Sequence, residues 1–122
     1  MLVITDKQLQ QLAEAGDAAF LSEAAALLTR HWPRRVERMG PAALEARLRL
    51  VYQRALDLGI RERSDLLRLA NMGMALDDDL AADSPLIWVQ EALRNPRLRP
   101  SDRLDVLDRQ VREWLLDERA GL

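Results

Sequence analysis

An acidic run near the middle of the chain is the first candidate for chemistry. Asp77, Asp78, Asp79 and Asp83 supply carboxylate oxygens, which hard cations such as Ca²⁺ prefer. Three of the acids are consecutive, whereas a calcium loop alternates its ligands, turns at a glycine and ends on a glutamate. We therefore expect no metal ion here, and we interpret the run as a solvated turn or as an acidic patch that meets a basic partner.

The segment from Arg30 to Arg38 is the basic counterpart of the acidic run. Guanidinium groups beside an aromatic ring can clamp phosphates or the carboxylates of a protein partner. Lys7 is the only lysine among 18 basic residues, so the cluster also reflects a general preference for arginine. A structural bend, an acidic protein partner and nucleic acid all remain open. The formal net charge of −2 disfavours nucleic acid.

Few residues support catalysis. His31 is the single histidine, and we expect it to interact with the last-turn carbonyls of its own helix. The absence of cysteine excludes thiol catalysis and zinc ribbons. The sequence contains none of the common phosphate-loop, dinucleotide, nucleophile-elbow or zinc-protease motifs. We therefore predict that the protein is not an enzyme and binds no cofactor.

The bulky apolar residues divide into core and surface candidates. Met72 and Trp114 are needed to fill a core that has only one Phe and one Tyr. Trp88 lies in a short segment that is apolar nearly all round, so it is either sandwiched or at an interface. The predicted partner-binding residues are Trp32, Arg34, Arg35, Arg38, Asp77, Asp78, Asp79 and Trp88.

Hydrophobic periodicity predicts the helices that position these residues. The first runs from about Thr5 to His31, the second from Pro41 to Leu58, and the third from about Glu62 to Leu76. A short helix follows from Ser84 to Leu93, and Ser101 is expected to cap the last one. Leu2-Val3-Ile4 is the only strand-like run. The prediction is an all-α, single-domain bundle of about five helices over residues 1–122.

The spacing of apolar residues also predicts which faces are buried. The third helix carries two neighbouring apolar stripes and should be central in the bundle. Gly59 should adopt a left-handed conformation that closes the second helix, with Ile60 folding back onto it. The predicted core face of the first helix consists of Leu9, Leu12, Ala19, Phe20, Ala24 and Leu27. That of the last helix consists of Leu104, Leu107, Val111, Trp114 and Leu115, with ion pairs Asp105–Arg109 and Asp108–Arg112 opposite.

Composition bounds the class of protein. A chain of 122 residues with 48% hydrophobic and 31% charged residues is typical of one soluble globular domain. Its longest uncharged apolar run is far shorter than the ~20 residues that span a bilayer, and Asp6 comes too early for a secretory signal. We expect a cytoplasmic protein with no membrane contact.

Motifs in the middle of the chain resemble a known group of bacterial proteins. They are Arg54-Ala55, Leu58-Gly59-Ile60, Asp65, Leu69, Met72, Leu76, the acids through Asp79, Pro85, Trp88 and Leu93, with Ile4-Thr5-Asp6 and Trp32-Pro33 before them. This pattern resembles small helical proteins encoded in type VI secretion effector clusters, beside the adaptor chaperones that load effectors. The chain departs from it at Asp77 and Asp78-Asp79-Leu80, where the family has a glycine and a phenylalanine between acids.

The resemblance implies a non-enzymatic co-chaperone or adaptor. It would bind the adaptor chaperone, the secreted effector or both in the cytoplasm. Two alternatives remain open: an immunity protein that neutralises a toxin, and a small DNA-binding regulator. Self-association as a homodimer also remains open, because the helices present more apolar surface than one small bundle easily hides.

Overall fold

The structure is a computed structural model that describes residues 6–77, 80 and 86–120. In these residues the chain forms six helices and no strand, which confirms the all-α prediction. The run Leu2-Val3-Ile4 lies outside the described residues. The helices are α1 (Asp6–His31), α2 (Pro33–Met39), α3 (Pro41–Asp57), α4 (Arg63–Leu76), α5 (Ile87–Leu93) and α6 (Pro100–Ala120).

Two prolines explain why the structure has a helix that the sequence does not predict. Pro33 ends α1 and also begins α2, because a proline in the first helical turn loses no hydrogen bond. Pro41 begins α3 in the same way. Between them Gly40 has a positive φ of 80°, a conformation that glycine adopts at little steric cost. Trp32 and Gly40 are therefore single-residue junctions, and the chain turns sharply at both.

The end of α3 follows the prediction closely. Gly59 has a φ of 78°, and the Ile60 amide donates to the Ala55 carbonyl over 2.8 Å. The Gly59 amide donates to the Leu56 carbonyl, which completes a Schellman motif. Ile60 is fully buried and so anchors the loop that leads to α4.

Helix α4 is central, as its two apolar stripes predict. It packs against α1, α3 and α6, while α2 packs on α1 and α3, and α5 packs on α6. Buried apolar side chains of α1, α3, α4, α5 and α6 form one cluster, and Met72 belongs to it as predicted. Trp114 is half-buried and packs against that cluster. Among the described residues, no helix has both the length and the apolarity needed to cross a membrane.

On α1 the predicted core face is confirmed at Phe20 and Ala24 and wrong at Ala19 and Leu27. Phe20, Ala24 and Leu28 are buried at intervals of four, whereas Leu27 is half-buried and Ala19 is exposed. The many alanines and leucines of α1 give several faces a similar hydrophobicity, so periodicity alone selects poorly among them. The side chains of Leu9 and Leu12 lie outside the described part of the chain.

The start of α6 differs from the prediction. The helix begins at Pro100, so Ser101 lies within its first turn and is not its cap. The Ser101 hydroxyl donates instead to the Asp65 carboxylate over 2.7 Å, and only 5% of Asp65 is exposed. The Asp108–Arg112 ion pair is present at 3.1 Å, whereas Asp105 pairs with Arg68 of α4. Thus α6 is tied to α4 by polar contacts that periodicity within one helix cannot predict.

Candidate partner-binding site

A cleft of about 460 Å³ lies where α2 and α3 meet the C-terminal end of α4. Arg35, Arg38, Met39, Met74 and Asp77 line it. We call it the arginine cleft. Part of the predicted basic segment and the first residue of the predicted acidic run, about 40 residues apart in sequence, thus line the same cleft.

The geometry of α2 presents three of these side chains together. Arg35, Arg38 and Met39 are spaced three and four residues apart, so they share one face of the helix. That face meets the end of α4, where the last carbonyls carry partial negative charge. The Arg35 Nη1 atom donates to the Met74 carbonyl oxygen, which ties α2 to α4.

Trp32 holds Arg35 in place. Its indole Nε1 donates to the Asn71 side-chain oxygen over 2.8 Å, and the ring packs half-buried against the core. The Arg35 guanidinium carbon lies 5.0 Å from the centre of the indole ring, within the range of a cation–π contact. We therefore assign Trp32 and Asn71 as positioning residues for Arg35. Trp32 is predicted from the sequence as a site residue, whereas a positioning role for Asn71 is not.

Arg47 of α3 is a further arginine near the end of α4, and it is not predicted from the sequence. Its Nη2 atom lies 3.5 Å from an Asp77 carboxylate oxygen, and its Nη1 atom lies 3.6 Å from the Met74 sulfur. Its neighbour Leu48 and the preceding Leu44 are buried, so periodicity places Arg47 at the edge of the buried face of α3. Nothing in the sequence indicates that this edge faces the end of α4.

Asp77 adopts an unusual backbone conformation. Its φ of 54° lies in the left-handed region, and its amide donates to the Gly73 and Met74 carbonyls at the end of α4. Its side chain is 77% exposed. Aspartate tolerates this conformation better than most residues but less well than glycine. The carboxylate is thereby kept at the rim of the arginine cleft.

Two arginines of α2 have free donors. Arg34 and Arg38 are exposed, and neither forms a hydrogen bond or an ion pair with another described residue. Each guanidinium offers five N–H donors in a planar fork that fits a carboxylate. These arginines can therefore bind an acidic group without first breaking an internal contact.

The remaining predicted site residues do not line the cleft. Arg34 is exposed on α2 but is not among the lining side chains. Trp88 lies on α5, half-buried against the core, and α5 packs on α6. In the same helix Val89, Ala92 and Leu93 are buried, and Ile87 is 70% exposed. Helix α5 therefore has one buried face and one exposed face. Asp78, Asp79 and Asp83 lie outside the described residues.

The basic and amide side chains of α4 are engaged within the protein. Arg63 pairs with Glu23 at 2.8 Å, Arg68 pairs with Asp105 at 2.8 Å, and Asn71 accepts from Trp32. A DNA recognition helix instead presents such groups on an exposed face. Helix α4 therefore does not have the surface of a recognition helix.

The groups at the cleft suit binding of an anion. Guanidinium groups are donors without acceptor atoms, and the half-buried Met39 adds an adaptable apolar side chain, whereas Met74 is buried. His31 is exposed at the end of α1. Across residues 6–77, 80 and 86–120, no group of three or more His, Asp or Glu side chains is arranged to hold a metal ion.

A second cavity of about 270 Å³ lies between α1 and α3. Leu21, Ala25, Leu44 and Leu48 give it mostly apolar walls, with Glu45 at its edge. It differs from the arginine cleft in having no basic residue in its described lining.

Comparison with known proteins adds no assignment: no family model, curated protein or solved structure matches the chain.

Proposed function

We propose that this chain is a non-enzymatic adaptor or co-chaperone that binds a protein partner at the arginine cleft. One observation supports this more than any other: exposed arginines without internal partners stand beside Arg35, which Trp32 and Met74 hold in place. An arginine that is already held loses less conformational freedom when it binds. Bond-making chemistry is not required for such a role.

The resemblance to accessory proteins of type VI secretion clusters suggests the partner. In this proposal the partner is the adaptor chaperone or the effector encoded beside it, and binding takes place in the cytoplasm before loading. Arginines at the cleft fix the orientation of the complex, since electrostatic complementarity contributes more to specificity than to affinity. Met39 and the apolar cavity between α1 and α3 cover hydrophobic surface of the partner.

The proposal is tested by co-expression with the products of the adjacent reading frames. The chain carries an affinity tag, and the eluate is analysed by size-exclusion chromatography. We expect a stable complex with the adaptor chaperone or the effector. Replacing Arg34 and Arg38 together by Glu should reduce the recovered partner about tenfold or more, because two free donors become like charges.

Arg61→Glu is the matched control. Arg61 is exposed in the loop before α4, at the opposite end of that helix from the cleft and about 20 Å away from it. It changes the net charge by the same amount per substitution and should leave complex formation unchanged. The proposal is wrong if no adjacent product binds and deletion of the gene leaves effector delivery intact. Rescue of cells from the neighbouring toxin would indicate an immunity protein instead.

A further inference from the structure

We propose that the arginine cleft recognises an acidic segment of a protein partner in which a carboxylate is followed by an aliphatic side chain. This inference rests on the proposed function and specifies the ligand of the same site. The cleft presents two kinds of surface at once: the guanidinium groups of Arg35 and Arg38, and the half-buried side chain of Met39 beside them, whereas the Met74 side chain is buried. A segment with both kinds of side chain satisfies both surfaces.

The cleft already shows how it accepts a carboxylate. Asp77 places its carboxylate at the rim, 3.5 Å from the Arg47 guanidinium. This pair is exposed at its acidic end and so is weak. A carboxylate from a partner would enter the same positive field and compete with Asp77 for it. Asp77 therefore acts as an internal competitor, and removing its charge should strengthen binding.

The volume of the cleft limits the size of the segment. About 460 Å³ is at the lower part of the range for ligand pockets, enough for two or three side chains. The aliphatic side chain fits against Met39, which adapts its shape because methionine is unbranched and flexible. A short linear segment fits this space better than a large flat surface.

A protein carboxylate fits the surroundings of the cleft better than the phosphates of a nucleic acid. Phosphate-binding surfaces are extended and strongly basic, whereas this chain has a net charge of −2 and carries the acids Glu37 and Asp77 beside the arginines. Arg63 and Arg68, which could extend the basic surface, are engaged with internal acids. We therefore argue for an acidic peptide, and DNA enters only as a competitor in the test.

The experiment measures binding of labelled synthetic peptides by fluorescence anisotropy. The probe is a peptide with a Glu-Leu-Glu-Leu core and Gly/Ser flanks. One comparison peptide replaces Glu by Gln, another replaces Leu by Ser, and a single-stranded and a double-stranded oligonucleotide represent nucleic acid. We expect the Glu-Leu peptide to bind about tenfold more tightly than either comparison peptide, because each lacks one of the two matching surfaces.

Three variants locate the binding site. Arg38→Glu should weaken binding about tenfold or more, and Arg61→Glu should change it less than about twofold. Asp77→Asn should strengthen binding about threefold, since it removes the internal competitor while asparagine tolerates the same backbone conformation. Circular dichroism of each variant confirms its helical content.

The outcomes separate this inference from the proposed function. Equal binding of the Glu and Gln peptides, equal loss with Arg38→Glu and Arg61→Glu, or tighter binding of an oligonucleotide would each overturn the cleft assignment. If the complex with an adjacent gene product forms and survives Arg38→Glu, the inference and the placement of the partner at the cleft are both wrong, and only the adaptor role stands. If the peptide binds as expected but no adjacent product does, the inference stands and the adaptor proposal is wrong.

Discussion

Arg103 and Arg38 are the same residue type in opposite situations. Arg103 lies in the first turn of α6, and its guanidinium donates to four backbone carbonyls. Nε reaches the Asn95 and Leu98 oxygens at 2.7 and 3.0 Å, and Nη1 reaches the Leu58 and Leu93 oxygens at 3.3 Å each. Arg38 is exposed and donates to no described residue. The first arginine joins the ends of α3 and α5, and the second is available to a partner.

Arg54 belongs with Arg103. Its Nε donates to the Leu80 carbonyl over 3.2 Å, and its Nη2 donates to the Gln90 side-chain oxygen over 2.6 Å. Burial lowers the pKa of Arg54, and the charge of Arg94 lowers it further. An arginine is thus structural where oxygen atoms of the surrounding fold, mainly backbone carbonyls, take up its donors. Residue type and local sequence do not distinguish the two situations.

The largest expected effect comes from Arg103→Met. This change leaves the Leu58, Leu93, Asn95 and Leu98 oxygens without their charged donor, and it should lower the free energy of unfolding by about 3 kcal/mol. Urea denaturation followed by circular dichroism measures it. Arg103→Lys is the matched control. It keeps the positive charge but not the planar guanidinium group, and the free energy of unfolding should fall by about half as much. An unchanged urea midpoint would show that Arg103 is not a structural arginine.

Arg54→Met should have the next largest effect. It removes the donors to Leu80 and Gln90, and we expect a loss of about 1.5 kcal/mol in the free energy of unfolding. Because α5 carries Gln90, the backbone amides of α5 in this variant should also exchange with deuterium faster than the amides of α1. Gln90→Ala is the control, since it removes one of the two contacts and should have a smaller effect. Equal exchange in both helices would contradict this assignment.

A smaller effect is expected from Trp32→Phe. Phenylalanine keeps the aromatic ring but loses the hydrogen bond to Asn71, which should lower the free energy of unfolding by about 1 kcal/mol. Arg35 then lies over a ring that is less firmly held. If Trp32 is a positioning residue, binding of the Glu-Leu peptide should weaken by more than the loss of stability alone explains. Unchanged peptide binding would show that Trp32 supports the fold only.

Much of the fold is predictable from the sequence because it depends on local patterns. Apolar residues three and four apart define α3, α4 and α6, and Gly59 marks the end of α3. The number of helices is less predictable, since Pro33 indicates the end of α1 but does not by itself indicate that α2 begins at the same residue. The buried face of α1 fails for another reason: with leucines and alanines on several faces, only tertiary packing selects Leu28 over Leu27.

The candidate site is only partly predictable. Local composition identifies Trp32, Arg35, Arg38 and Asp77, but the cleft exists because α2, which packs on α1 and α3, reaches the end of α4 through its side chains. The contributions of Arg47 and Asn71 depend on contacts between residues 30 to 39 positions apart. No local pattern encodes such a contact. The same limit explains why Arg103, which the sequence does not single out, makes more contacts than any arginine of the basic segment.

The smallest effect on stability is expected at the open arginines. Replacing Arg34 and Arg38 together by Glu should change the free energy of unfolding by no more than about 0.5 kcal/mol per site, because neither side chain has an internal partner to lose. The same double variant should abolish most binding of the Glu-Leu peptide. Urea denaturation and fluorescence anisotropy on one preparation measure both quantities.

The contrast between the two groups of arginines is tested by measuring stability and peptide binding for both variants. Arg103→Met should lower stability strongly, and when it is studied at a temperature where it remains folded it should bind the peptide nearly as well as the wild type. The Arg34 and Arg38 double variant should show the reverse. A double variant that is strongly destabilised would mean that these arginines support the fold, and loss of peptide binding could then no longer be attributed to the cleft. Both results together therefore decide whether the free donors of α2 serve a partner.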